Sequence, residues 1–269
     1  MKTLFAAVMA VLTFSGLALA QAAWNHDPAS PIGPLHWGTV TPSYATCGDS
    51  TDEVGMKQSP INIVSGNALA ATFSAPRFKY KPTPLKIENT GHYVEVLYDP
   101  TSYLYVGTQP TDVYRLVQFH FHAPSEHTIN GVRYDAELHL VHANVIGETA
   151  VIGVLLKSSA AGLPIFDTIM ANSPTSPGEI ELSEEVNVFD LLPFRRAFYR
   201  YAGSLTTPAC SEDVQWFLMQ DPVPITPSAL AKLHSVISLS PNYGGYPNNN
   251  RPIVNQNGRS VLKSIRNDD

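Results

Sequence analysis

Short runs in which apolar residues recur at every second position, or fill the run completely, dominate the chain: residues 87–97, 113–122, 136–142 and 150–157, each bounded by Gly, Pro or Asn. A period of two marks strands that keep one face in the core. Helical periodicity is confined to residues 163–170, 187–192, 211–218, with Glu212 and Asp213 early in the run, and 228–239, opened by Thr226-Pro227. There is no internal repeat and no linker beyond the SPTSPG loop at residues 173–178. The expected fold is mostly β with short peripheral helices, in one domain.

The run QFHFHAPSEH, residues 118–127, shows what the alternation carries. On a strand, Gln118, His120 and His122 share one face while Phe119 and Phe121 take the other. One face is chemical and the other is core. Asn130-Gly131 is a turn signal between this run and AELHLVH, residues 136–142, so the two are expected to pair antiparallel. Glu137, His139 and Val141 then share a face; if it is the face of His120 and His122, three imidazoles converge. Leu138, Leu140 and His142 point away, which makes His142 a hydrogen-bonded core histidine. Three neutral imidazoles without a nearby thiol suit zinc, and three protein ligands leave a fourth tetrahedral position open, as catalytic sites do. Gln118 and Glu137, each two residues before a ligand, are placed to accept the other ring N–H and fix its tautomer.

Composition narrows the partners. The 269 residues are 44% hydrophobic and 15% charged with a net charge of −6, which suits a packed globular domain and gives no basic footprint for nucleic acid or anionic lipid. Lys2, the apolar stretch 4–17 and Ala18-Leu19-Ala20 read as a secretory leader over residues 1–20, leaving 21–269 as an exported mature chain with no membrane segment, periplasmic or secreted. In that oxidising setting Cys47 and Cys210, the only cysteines, are expected to form a disulfide, since two distant thiols make a poor zinc cage.

Competing chemistries lack their parts: GxSxG, HExxH, GxxxxGK[ST] and a Rossmann glycine fingerprint are all missing. Ser125, Glu126 and His127 are adjacent, whereas triads converge from separate segments. His120-x-His122-xxx-Glu126 also fits the first metal motif of cupins, in which Glu126 would be a ligand. Tyr114 stands where that motif has its glycine, however, and no PxG-x-x-H segment follows.

Four motifs in order, KQSPINI (57–63), QFHFHAPSEH, AELHLVH and GSLTTP (203–208), give a sequence that resembles the α-class carbonic anhydrases from about Trp24 to about Pro252. The resemblance implies a central, largely antiparallel twisted sheet, one Zn2+ per chain, and interconversion of CO2 and bicarbonate. It implies His120, His122 and His139 as ligands, Gln118 and Glu137 as their hydrogen-bond partners, and Glu126 with Thr206 as the pair that orients the attacking oxygen. Val141, Val151, Leu205 and Trp216 match the apolar wall for CO2, Thr207 a bicarbonate contact, His92 the proton shuttle, and Cys47 with Cys210 the disulfide of exported bacterial members. A homodimer is among the assemblies it allows. The sequence departs from the family at Asn25-His26, where a tyrosine of the active-site water network is missing, at Ala209, and in the extra length of residues 48–56. Because some relatives have lost ligands and serve as recognition domains, a noncatalytic binding module on the same fold is the alternative.

Overall fold

The computed structural model describes residues 23–48, 56–72 and 76–265. The leader expected at residues 1–20 lies outside them, as does most of the extra segment 48–56. Ten strands make the main path of one sheet: β1 Leu69–Ala71, β2 Thr83–Asn89, β3 Val94–Leu97, β4 Val113–His122, β5 Ala136–Ala143, β6 Thr149–Ser158, β7 Gly178–Val186, β8 Phe198–Gly203, β9 Val214–Met219 and β10 Leu262–Ser264. Their lateral order is β7-β2-β3-β4-β5-β6-β9-β8-β10-β1, and strands Arg77–Lys79, Tyr103–Tyr105 and Val223–Ile225 pair alongside. Most pairings are antiparallel; β6–β9 and β10–β1 are parallel.

The alternation read from the sequence decides the layering. Phe119 and Phe121 of β4, Leu138 and Leu140 of β5, and Ile152 and Val154 of β6 join one buried cluster. Two helices close it: α1 Pro164–Asn172 through Phe166, Ile169 and Met170, and α2 Pro227–Ser238 through Leu233, Val236 and Ile237. Proline opens each helix, where its missing N–H costs nothing. In α2 the Thr226 hydroxyl also caps the Ala229 N–H at 3.1 Å. On the other face of the sheet a second cluster gathers Val151, Leu155, Tyr201, Trp216 and Leu218. A third holds Trp24, Trp37 and Tyr44 around the Cys47–Cys210 disulfide, which ties the N-terminal segment to the loop after Thr206 and Thr207.

Two expectations need correction, and a third is borne out by a different route. Residues 211–218 are not helical: Val214–Met219 is β9, paired with β6 on one side and β8 on the other. Five of its six residues are buried, on both faces, as in a central strand, and the two acidic residues meet Lys57 instead of a helix N-terminus, Glu212 accepting its backbone N–H at 2.6 Å and Asp213 its Nζ at 2.9 Å. The run 87–97 is two strands, broken by a turn at Gly91 with φ +86°, and His92 rides on that turn. Finally, Asn130-Gly131 does close a hairpin, with φ +53° and +78°, but a small one between Thr128–Ile129 and Val132–Arg133. The antiparallel pairing of β4 with β5 stands without it.

Candidate metal centre

Register builds the site in three rows across the sheet. Glu95, His120, His139, Gly153 and Leu218 are successive lateral neighbours on β3, β4, β5, β6 and β9. On one side of this row His122 faces Glu137 and Leu155; on the other run Gln118, Val141, Val151, Trp216 and Tyr201. Residues in register on a pleated sheet point to the same side, so the three histidines meet at one spot with an apolar wall along one flank. One nitrogen from each of His120, His122 and His139 lies within 4.8 Å of the others, and all three residues are buried.

Hydrogen bonds fix each ring's tautomer. His120 donates Nδ1–H to Gln118 Oε1 at 2.9 Å, His122 donates Nδ1–H to the Asn249 carbonyl at 2.7 Å, and His139 donates Nε2–H to Glu137 Oε1 at 2.9 Å. Each ring is thus left with one lone pair, on Nε2, Nε2 and Nδ1 in turn. Burial, and then neighbouring imidazoles at His120, lower the pKa of all three, that of His122 to about 4, so the rings are neutral at pH 7. His122 Nε2 is buried and makes no hydrogen bond, the condition of a ligand atom facing a metal position. Three neutral nitrogen donors without a thiol fit zinc.

Behind the histidines Glu137 is saturated. Its Oε1 accepts from His139 and from His127 Nδ1–H at 2.7 Å, and its Oε2 from the backbone N–H groups of Glu126 and His127 at 2.9 and 2.8 Å. Burial alone would raise its pKa, but His127 and His139 outweigh it and hold the carboxylate ionised, well below the usual range. His127 Nε2 in turn accepts from Tyr201 Oη–H at 2.6 Å, and Tyr201 bonds Ser59 Oγ at 2.8 Å. The Ser125 hydroxyl donates to the His127 carbonyl at 2.8 Å and accepts the Tyr134 N–H at 3.0 Å, so these adjacent residues form no triad.

Glu126 is fully buried, and its Oε1 accepts the Arg251 N–H at 2.8 Å. Burial raises its pKa to about 7, against the pull of His139, the Arg251 N–H and the Thr206 hydroxyl. Its Oε2 makes no hydrogen bond of ordinary length, and Thr206, itself buried, is near enough to stabilise its charge. Val141 and Leu205, partly exposed, pack with buried Val151 and Trp216 in one cluster, and the Trp216 ring lies 4.9 Å from that of His139. Thr207, half-buried, accepts the Cys210 N–H on its carbonyl. His92 stacks on Trp24 at 3.7 Å, where burial lowers its pKa to about 4. His142 is a core histidine, with Nε2 2.8 Å from Tyr80 Oη and Nδ1 3.3 Å from the Ala150 carbonyl.

The sequence reading missed Asn249, Arg251, His127, Tyr201 and Ser59. Asn249 and Arg251 act through a backbone carbonyl and a backbone N–H, which no side-chain pattern announces. It also missed Tyr93, whose ring lies 4.7 Å from that of His120, and His26, which takes up a buried position beside His122.

Fold and site together define a large mixed sheet that brings three neutral histidines from neighbouring strands to one spot, a group able to hold a metal ion. The model of eukaryotic-type carbonic anhydrase matches residues 32–265, and the chain belongs to that family, the α class of zinc-dependent enzymes that hydrate CO2. It is 36% identical over 239 residues to a carbonic anhydrase of Nostoc, covering 87% of this chain and 84% of the relative. A Pectobacterium carotovorum carbonic anhydrase is 32% identical, with 95% and 97% covered. The α-carbonic anhydrase of Thermovibrio ammonificans, solved with the inhibitor sulfanilamide, superposes with a TM-score of 0.80 at 36% identity, over 90% of this chain and all of that one.

Proposed function

We propose that this chain converts CO2 and water reversibly to bicarbonate and a proton, with one zinc ion held by His120 Nε2, His122 Nε2 and His139 Nδ1. The observation that carries the reading is the meeting of three neutral lone pairs beside Glu126, Thr206 and an apolar wall. Zinc supplies a Lewis acid that makes water nucleophilic near neutral pH, a chemistry for which carbonic anhydrases are the general reference case. The chain's own groups do the rest. In its ionised form, which a cation at the metal position would favour, Glu126 can only accept, so it takes a hydrogen bond from the Thr206 hydroxyl and obliges Thr206 to accept from the attacking oxygen, which aims a lone pair at the substrate. Val141, Val151, Leu205 and Trp216 hold a small nonpolar molecule next to the metal position and keep water from its far side. Thr207 offers a polar contact to the bicarbonate that forms.

His92 is our candidate for carrying the proton out. Stacked on Trp24 with a pKa near 4, it is a neutral ring at pH 7 that accepts a proton only weakly. Efficient transfer near neutrality requires a higher basicity, which the ring would regain on leaving Trp24 for water. We further infer export of the mature chain 21–269: the leader-like pattern of residues 1–20 and the disulfide both support it. An intact mass beginning at Met1 in the secreting host would overturn that.

Stopped-flow CO2 hydration by the mature protein, before and after removal of zinc by a chelator, tests the central reading. Fast hydration should vanish with the metal and return with it. No hydration by folded, zinc-loaded protein would overturn the enzyme and favour a binding module.

A further inference from the structure

Among the described residues five buried side-chain polar atoms make no hydrogen bond, and they form one connected group. Two belong to the metal centre, His122 Nε2 and Glu126 Oε2; the other three are Trp24 Nε1, His26 Nε2 and His92 Nδ1. The rings run without a break: His122 to His26 at 6.3 Å, His26 to Trp24 at 5.2 Å, Trp24 to His92 at 3.7 Å. His26 is the hinge of this row, 1% exposed, with one nitrogen among the donor atoms of His122 and Glu126, all within 4.8 Å.

Its tautomer follows from a chain of bonds. Tyr243 donates its hydroxyl proton to the His92 carbonyl at 3.2 Å, so the Tyr243 oxygen is left to accept, and the partner it accepts from is His26 Nδ1–H. Nε2 therefore carries a bare lone pair, buried and without a donor. An unsatisfied buried acceptor is destabilising, and proteins relieve that cost with an ordered water. A second metal ion is a poor occupant, because the one lone pair of His122 already serves the three-histidine site.

We propose that His26 is a positioning residue: its Nε2 accepts a hydrogen bond from a water held between the metal centre and His92, and this water lies on the path by which the proton of CO2 hydration leaves. The second clause rests on the function proposed above; the first does not. Burial, then His122, His92 and Arg251, keep the His26 pKa well below its usual value, so the ring works by accepting and without changing charge.

Two measurements test this. In crystals of the native protein, with and without zinc, a solvent oxygen should lie within about 3.2 Å of His26 Nε2; an empty Nε2 in both overturns the proposal. In His26→Phe, which keeps the ring and loses the acceptor, kcat in weak buffer should fall about tenfold while kcat/KM for CO2 stays within about twofold, and small imidazole buffers should restore it. His26→Gln, which retains an acceptor, should recover part of the rate. An unchanged kcat in His26→Phe, or a parallel loss of kcat and kcat/KM that imidazole leaves untouched, removes His26 from the proton path. Should the native enzyme fail to hydrate CO2, the functional reading falls while the solvent at Nε2 still decides whether His26 holds water.

Discussion

Glu137 is where one side chain governs most of the centre. Its two oxygens take four N–H donors, two from rings and two from backbone, so every lone-pair direction is committed. Glu137→Gln keeps the shape but turns one acceptor into a donor, and whichever way the amide lies its NH2 meets an N–H. We expect zinc affinity to drop about 10–100-fold, read by competition with a chromophoric chelator; unchanged affinity in the folded variant would remove Glu137 from its role. Glu95, beside His120 in the sheet, matters through its proton. Burial, then Glu88, raise its pKa to about 7, so in the folded protein it holds a proton that the unfolded chain releases above about 4.3. The stability from that proton is complete below the unfolded pKa and is lost as pH rises through 7. Zinc-free Glu95→Gln should therefore melt above wild type at pH 8, and the gap should narrow toward pH 5. A gap that widens on acidification would contradict the burial of the Glu95 carboxyl as the cause.

At the scale of elements, the site depends on close approach between strands. A Cβ on Gly153 of β6 would lie 2.8 Å from Leu218 Cδ1 and 3.1 Å from Glu137 Oε1. Gly153→Ala should push Glu137 off its ring partners, lowering Tm by several degrees, for a cost of about 1–3 kcal/mol, and weakening zinc binding with it. A lower Tm with intact zinc affinity would mean that Leu218 yields and Glu137 does not. Strands β4 and β5 were legible in the sequence because a period of two separated histidines from phenylalanines and leucines, and one antiparallel pairing was enough to bring the imidazoles together. Strand β9 was not. Its six residues read equally as a helix turn, and only its neighbours β6 and β8 decide for strand. Asn249, Arg251 and His26 were illegible for a related reason: each reaches the site from the far end of the chain, two of them by backbone groups, and the value of such contacts exists only after folding.

The whole molecule is braced at the point where those distant segments meet. Cys47 and Cys210 close a span of 163 residues, and the guanidinium of Arg251 bonds the Cys47 carbonyl at 2.9 Å, the Ser59 carbonyl at 2.7 Å and Gln58 Oε1 at 2.8 Å. The backbone N–H of the same Arg251 holds Glu126. The disulfide thus supports the Glu126–Thr206 side of the centre, while His120, His122 and His139 stand on β4 and β5, held by sheet hydrogen bonds and the main core. Chain entropy sets a ceiling of roughly 5 kcal/mol on what the crosslink contributes, with 2–4 kcal/mol more usual. Replacing both cysteines by serine should lower Tm by about 5–15 °C. It should also reduce CO2 hydration more than zinc affinity, because the loosened segment carries Thr206 and anchors Glu126 but no ligand. Parallel loss of both would mean that the N-terminal cluster supports the ligand strands as well, and an unchanged Tm would show that Arg251 and the aromatic cluster hold the segments together without the covalent link.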